Sequence, residues 1–386
     1  MKFSKEIGES LTLKFGQLAR DLAAEGKEII SMAVGEPNFK TPSYIEEALI
    51  EALKEGHTHY SNSQGLVELR EYIAKDINER YKTSFSHLDV IVTPGVKSGL
   101  HLALSSILEP GDEVIIFSPY YVSYPPLIKI AEPETKIIDI PVDQNNNLDL
   151  VKLEQVISNK TKCVIVNSPS NPTGKIITRQ EIAAIIKLAK RYNTYILTDE
   201  IYDKLLYKDK EFYSFLGQNA DELVIYANGY SKSYCLTGYR IGYVIAPPLV
   251  LEKMLKLQQN INTNTNTFVQ KGVVSIYQNK MTHLEDYLIE LEARVNKLDT
   301  FIQSSKLFKG QAPEAGFFYF VDISASHLSS LAFAELLIKE TGIVVTPGSG
   351  FGPHFDSHVR FSLAVSNEVL DKVISKLKTF EDNFFA

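Results

Sequence analysis

Between residues 89 and 246 one pattern recurs: a short run of β-branched and aliphatic residues that ends in a cluster of Gly, Pro, Ser or Asn. The runs are "DVIVTPG", "DEVIIFSPYY", "KCVIVNSPSNPTG", "TYILTDE", "ELVIYANGYSKS" and "GYRIGYVIA". Nearly continuous apolar runs of this length suit strands covered on both faces, as in a parallel sheet. Helical stretches separate some of them. Residues 96–108 read as one helix. Thr178 and Glu181 have the spacing of a capping box that opens another, running to about residue 191. The expected class is therefore α/β, with a largely parallel sheet flanked by helices.

The two ends of the chain read differently. Phe15, Leu18, Ala19 and Leu22 follow helical spacing, and Gly26 stands where the helix should stop. "EIISMAVGEPNF" then reads as a short strand running into a Gly/Pro loop. Thr41-Pro42 suits an N-cap followed by proline in the first turn, with the helix ending before Gly56. Leu284, Leu288, Leu291, Val295, Leu298 and Ile302 alternate spacings of four and three, which predicts a long amphipathic helix joining two domains. "AGFFYFVDI", "GIVVTPGSGFG" and "HVRFSLAV" follow as strands of a smaller C-terminal unit. The N-terminal helix is expected to pack there, because its apolar stripe needs a partner.

Bulk properties exclude several classes. A length of 386 residues predicts two or three domains. The net charge of −7, from 40 basic and 47 acidic side chains, argues against non-specific nucleic-acid binding. Cys163 and Cys235 are too few for a disulfide or metal framework and read as reduced thiols. The start, "MKFSKEIGESLTLKF", lacks the apolar run of a signal peptide, and no stretch approaches the roughly 18 apolar residues of a membrane span. A cytoplasmic protein without membrane or nucleic-acid partners is expected.

In open α/β sheets ligands sit at the carboxyl ends of the strands. Gly95, Asn171, Asp199, Ser231 and Lys232 all fall just after, or at, such ends. Each alone has an ordinary explanation as a cap, turn or surface charge. As a set they offer backbone amides, a side-chain amide, a carboxylate and a primary amine to one crevice. Other motifs fail. "GYSKS" lacks the Gly-Lys pair of a P-loop, and the glycines of "PGSGFG" do not have dinucleotide-fingerprint spacing. His354 and His358 sit in a non-helical context, and His57 and His59 lack a third ligand, so no metal is expected. No GxSxG serine elbow is present.

The ordered combination of "NPTG" (171–174), "TDEIYD" (198–203) and "SKSYCLTGYR" (231–240) resembles the class I pyridoxal-phosphate (PLP) aminotransferases of fold type I. "VGEP" (34–37), "TPGVKSGL" (93–100), "PGSGFG" and "VRFSLA" (359–364) extend the resemblance over nearly the whole chain, nearest to the bacterial aspartate aminotransferase-like subgroup. It implies a large domain with a mostly parallel seven-stranded sheet and a smaller α+β domain made from both chain ends. The expected division is 1–40 for an N-terminal arm and part of the small domain, 41–284 for the large PLP-binding domain, and 285–386 for the rest of the small domain.

The resemblance also implies roles. Lys232 would hold PLP as an imine and then shuttle the proton, a task that requires a primary amine with a lowered pKa. Asp199 would pair with the pyridine nitrogen. Asn171 and Tyr202 would hydrogen-bond the ring's phenolic oxygen. Arg240, Ser231 and the amides of Gly95, Val96 and Lys97 would bind the phosphate at a helix N-terminus. Tyr121 would stack on the ring, with Tyr120 the neighbouring alternative. Tyr60 would reach the phosphate of the other subunit, which implies a homodimer with shared active sites. Arg360 would bind the substrate α-carboxylate beside Asn171, and Gly35 would let the backbone approach it.

The implied reaction moves an amino group from an amino acid to a 2-oxo acid by a ping-pong route. Aspartate and 2-oxoglutarate are the first expectation, with aromatic amino acids or alanine as alternatives. A C–S β-lyase on the same fold is a second reading, and a non-catalytic regulator domain a third. The motifs identify no cation for a second substrate carboxylate. "QQNINTNTNTF" (258–268) matches a family region near the dimer interface and carries no Lys or Arg. Residues 10–14, with Lys14, are a further pocket candidate.

Overall fold

The computed structural model describes residues 11–279 and 283–386. The first ten residues and the side chains of 11–14, Lys14 among them, lie outside that description. The N-terminal part runs α1 (Leu11–Ala24), β1 (Ile30–Ser31), α2 (Ser43–Lys54), α3 (Val67–Tyr81), β2 (Val90–Thr93), α4 (Val96–Ile107), β3 (Glu113–Ser118), α5 (Tyr124–Ala131) and β4 (Lys136–Pro141). It continues with α6 (Leu150–Val156), β5 (Thr161–Asn167), α7 (Arg179–Tyr192), β6 (Tyr195–Asp199), β7 (Val224–Gly229), β8 (Gly242–Ile245), α8 (Pro248–Ile261) and α9 (Thr267–Gln278). The C-terminal part is α10 (His283–Ser304), β9 (Lys309–Gly310), β10 (Phe318–Asp322), α11 (Ser330–Thr341), β11 (Ile343–Val344), β12 (Thr346–Pro347), β13 (His358–Ser362) and α12 (Asn367–Phe384).

Seven strands form one sheet in the order β2-β8-β7-β6-β5-β3-β4. The pairs from β7 through β4 are parallel, and only β8 runs against its neighbours. Side chains of a strand alternate between faces, and here both faces are filled. Val164, Val166 and Ile196 enter one core, while Cys163, Ile165 and Leu197 enter another. That double burial is why the sequence shows unbroken aliphatic runs. The capping box at Thr178 and Glu181 forms as expected and opens α7.

The smaller unit holds an antiparallel sheet, β12-β13-β10-β9, and a parallel pair, β1-β11. That pair joins the two chain ends, with Ile30 opposite Ile343 and Ser31 opposite Val344. Phe15 and Ala19 of α1 share a core with Leu291, Val295 and Leu298 of α10 and with Phe361 of β13, so the N-terminal helix finds the expected partner.

Three local expectations need correction. Thr41 does not cap α2: Pro42 occupies the N-cap without a side-chain cap, and Thr41 Oγ1 instead donates to the Cys235 carbonyl at 3.2 Å. "GIVVTPGSGFG" is not one strand. It splits at Val345 into β11 and β12, which pair in different sheets, and Gly348 then opens a short 3₁₀ segment. β4 and the prolines-bearing α5 were not visible as elements in the sequence pattern.

Candidate active site

Parallel register sets the site. In adjacent strands Asn167 lies opposite Asp199, and Asp199 opposite Ala227, so the ends of β5, β6 and β7 form one edge. The loops leaving that edge carry Asn171, Tyr202, Ser231 and Lys232. Of the residues given site roles from the sequence, all but Gly95 and Tyr60 line one cavity of about 330 Å³ there; Tyr121 is among them, while its alternative Tyr120 is not. The small unit closes it with Gly35, Phe318 and Arg360.

Lys232 keeps some accessible surface, and that surface belongs to the cavity it lines. Its Nζ donates to the Gly35 carbonyl at 2.7 Å. Burial, the Arg360 guanidinium and Arg240 pull its pKa down to about 8, against the opposing pull of Glu36 and Asp199. Asp199 is buried, and burial raises its carboxyl to about 6. Tyr124 donates its hydroxyl to Asp199 Oδ2 at 2.9 Å, and the Ile201 amide donates to Oδ1 at 3.3 Å. Both bonds favour the charged form. Asn167 fixes the same turn: its Nδ2 donates to the Asp199 carbonyl at 2.8 Å, while its Oδ1 accepts from the Asn171 amide at 2.7 Å.

Arg360 is only 2 % exposed, yet its partners are all neutral. It donates to Asn171 Oδ1 at 3.0 Å, the Ala33 carbonyl at 2.8 Å and Thr346 Oγ1 at 3.3 Å. Its Nε has no partner among the described residues. Burial lowers its pKa to about 10. A buried guanidinium without a carboxylate costs several kcal/mol, roughly the penalty an incoming anion would relieve. Its plane lies over Phe318, 4.0 Å from the ring centre. The strand pattern alone allowed an edge-strand surface charge; the fold buries the side chain instead.

A second anion site lies at the start of α4. Gly95 occupies its N-cap with φ of 81° and gives no side-chain cap, so the first amides remain available. A Cβ on Gly95 would come within 2.6 Å of Arg240 Nη2. The guanidinium therefore rests over the helix end, steadied by a 2.9 Å bond from Nη1 to the Thr237 carbonyl. Cation, amides and helix dipole point into one place. Tyr121 packs edge-on to Tyr124, and the Lys97 amine lies 5.5 Å from the Tyr121 ring centre. Tyr202 is buried beside Asn171 and Arg360, with its ring edge-on to Phe317 and Phe318. Burial drives its hydroxyl pKa well upward.

Tyr60 is not brought to the cavity; it is 85 % exposed. The sequence reading missed Tyr124 and Asn167. Asn167 carried a faint signal, as a polar residue closing an aliphatic strand. Tyr124 carried none, since a tyrosine in a helix is most simply a core residue.

The family model described as aminotransferase class I and II matches residues 27–377. A protein named aspartate aminotransferase, from Thermotoga maritima, is 34% identical over 384 residues, 97% of each chain. The structure of aspartate aminotransferase from Thermus thermophilus with maleate superposes with a TM-score of 0.93 at 30% identity, covering 98% of each chain. An aromatic aminotransferase from Pyrococcus horikoshii gives a TM-score of 0.89 at 31% identity, over 92% of this chain and 96% of that one.

Proposed function

The chain belongs to the class I and II aminotransferases, and from that membership we propose that it transfers the amino group of L-aspartate to 2-oxoglutarate. The family and its fold type I make it a PLP-dependent transaminase. The choice of substrate rests on one observation above the rest. Among the described residues the cavity is lined by four cations, Lys97, Lys232, Arg240 and Arg360, against one carboxylate, Asp199. The hydrogen-bond partners of Lys232, Arg240 and Arg360 are neutral oxygens. Such a site suits a phosphate together with a dicarboxylate. The maleate in the Thermus thermophilus structure, itself a dicarboxylate, and the names of the relatives support the same reading.

The residues fit the cofactor. The cradle that a Cβ at Gly95 would fill takes a phosphate, held by Arg240, Ser231 and the amides of Val96 and Lys97. Asp199 faces the same cavity, with Oδ2 fixed by Tyr124. Bound PLP supplies an electron sink that takes up the density released when the Cα–H bond of the amino acid breaks. Everything else falls to side chains. Lys232, held near pKa 8, anchors the cofactor and moves the proton at Cα. Asp199 keeps the ring nitrogen protonated. Asn171 and Tyr202 would donate to the cofactor's phenolic oxygen, and Tyr121, at the cavity wall, would pack on its ring. Arg360 takes the α-carboxylate with donors aimed by Asn171, Thr346 and the Ala33 carbonyl, while Gly35 leaves room for the substrate. Among the described residues Lys97 is the cation left for the side-chain carboxylate, and its amine stands at the cavity wall, 5.5 Å from the Tyr121 ring centre.

We also take the protein to be a cytoplasmic homodimer in which Tyr60 completes the partner's phosphate site; its exposure supports that role, and the free state of both cysteines supports a reducing compartment. Residues 41–284 are taken as the cofactor-binding unit, with 1–40 and 285–386 as the smaller one.

The substrate is tested by half-reactions. Each amino acid is added alone to the PLP-loaded protein and the loss of its yellow colour is followed. Aspartate should react fastest. Lys97→Ala should raise the KM for aspartate by about 10- to 100-fold, the worth of one charge-assisted contact, and leave alanine unaffected. A protein that prefers an aromatic amino acid, with no Lys97 effect on aspartate, would overturn the assignment.

A further inference from the structure

The turn after β6, residues 199–203, carries two of the cavity's polar groups. Asp199 and Tyr202 face the cavity, while Glu200 and Asp203 face away from it. On that rear side the turn meets α3, an element with no residue in the site. Arg80 of α3 donates Nη2 to Asp203 Oδ2 at 2.6 Å. The Asp203 side chain is 2 % exposed and that of Arg80 25 %. A pair this buried is a strong tether, because removing one partner leaves the other's charge stranded.

The rest of the turn is pinned in two directions. Glu200 Oε1 accepts from Thr198 Oγ1 and Ser214 Oγ, each at 3.0 Å, and its amide donates to the Ala227 carbonyl of β7 at 3.0 Å. Just beyond, the Leu205 amide bonds the Tyr202 carbonyl at 2.8 Å, and the Gly316 amide bonds the Leu205 carbonyl at 2.8 Å. Gly316 belongs to the small unit, and Ile201, Tyr202, Leu205 and Tyr207 enter that unit's core. The segment thus spans both units. Without Asp203 anchored to α3, the small unit would be the main guide for the Tyr202 ring.

We infer that Arg80 is a positioning residue: through Asp203 it holds the 199–203 turn in register, so that Tyr202 and Asp199 keep their aim on the cofactor. Asp76, 3.7 Å from Arg80 Nη1, Lys204 and Glu200 are the other charges around the pair, and Tyr81 of α3 donates its hydroxyl to the same Asp203 Oδ2 at 3.5 Å. None replaces Arg80: Asp76 is on α3 itself, Glu200 shares the sign of Asp203, Lys204 follows Asp203 in the same segment and cannot tie it to α3, and the Tyr81 contact is long and neutral. The inference rests on the roles proposed for Tyr202 and Asp199, and not on the choice of amino acid.

The test reads the PLP-loaded protein in three ways: the pH at which its colour titrates, kcat against KM, and melting temperature. The double substitution Arg80→Met with Asp203→Leu removes both charges, so it strands neither. Asp203→Asn keeps shape and acceptor while losing charge. Tyr202→Phe is the reference. We expect the double variant to fold, to shift the colour titration by about half a unit or more, and to lower kcat about tenfold or more with KM within twofold. Asp203→Asn should shift it in the same direction by less. If Tyr202→Phe moves the titration and neither tether variant does, the inference alone fails. If Tyr202→Phe does not move it, the role of Tyr202 fails and the inference with it. Should the double variant not fold, Asp203→Asn decides: a shift supports the tether, and an unchanged titration overturns it.

Discussion

The chemistry of single residues here is set by what burial does to charge. Burial, helped by the nearby Arg360 and Arg240 guanidinium groups, brings the Lys232 amine down to a pKa of about 8, well below that of an exposed lysine. The sign has a consequence for cofactor capture. Only the unprotonated amine can attack the PLP carbonyl. Below pH 8 the amine is charged and capture is slow; above it, capture levels off. The initial rate at which apo-protein becomes borohydride-fixed on Lys232 should therefore rise with pH to a plateau with a midpoint near 8. A midpoint at 10 or above would mean that the amine is solvated and the cavity cations do not act on it.

Whether a residue could be read from the sequence depended on where its partner lies. Lys232, Asp199, Asn171 and Arg240 announce themselves because they sit in three short motifs, "NPTG", "TDEIYD" and "SKSYCLTGYR". Tyr124 does not: its partner Asp199 is 75 positions away, and only the parallel order of β3, β5 and β6 joins them. Arg80 and Asp203 are 123 apart and read as two ordinary charges.

Elements show the same division. Strands covered on both faces leave runs such as "VIVN" and "YILT" that nothing else explains. β4 sits at the sheet edge, its residues mostly half-buried, and one of them is Asp139; with one covered neighbour the aliphatic signature thins out. α3 is weakly patterned because its buried face includes Arg70 beside Leu69, Ile73 and Ile77. That arginine is satisfied by carbonyls, from Gly65 at 3.1 Å among others, which periodicity cannot foresee.

The N-terminus of α4 offers a test at this scale. Gly95 has positive φ with extended ψ, where an L side chain costs about 1–3 kcal/mol, and its missing Cβ is the space Arg240 uses. Gly95→Ala should lift the guanidinium from the helix end and tilt the first amides. We expect the Kd for PLP to rise about 10- to 100-fold, since one charge-assisted contact is weakened. The apo-protein should lose melting temperature only to the extent of the backbone strain. Unchanged PLP affinity would show that the phosphate sits elsewhere.

At the scale of the whole molecule, the polar stretch 258–268 finds a use that its composition concealed. Gln258 donates to the Val92 carbonyl at 2.9 Å, Asn264 to Ser61 Oγ at 3.1 Å and Thr267 to the His59 carbonyl at 2.7 Å. Gln64 closes the other side through the Leu88 and Val90 carbonyls, each at 2.9 Å. The loop that carries Tyr60 is therefore held firmly, while the tyrosine itself stands 85 % exposed and its hydroxyl has no partner among the described residues. In the proposed homodimer this tyrosine would meet the partner subunit. Leu249 and Ile261, the exposed apolar residues of α8, lie at the two ends of a helix packed on α4 and β2. The proposed homodimer would cover Tyr60. It predicts a sedimentation mass of twice 43.3 kDa and an activity that falls, on dilution, with the dimer. Tyr60→Phe should leave that mass unchanged while weakening PLP about tenfold, the worth of one hydrogen bond to a charged group. A monomer that binds PLP with full affinity would remove the shared site, and the phosphate would then rest on Arg240, Ser231 and the α4 amides alone.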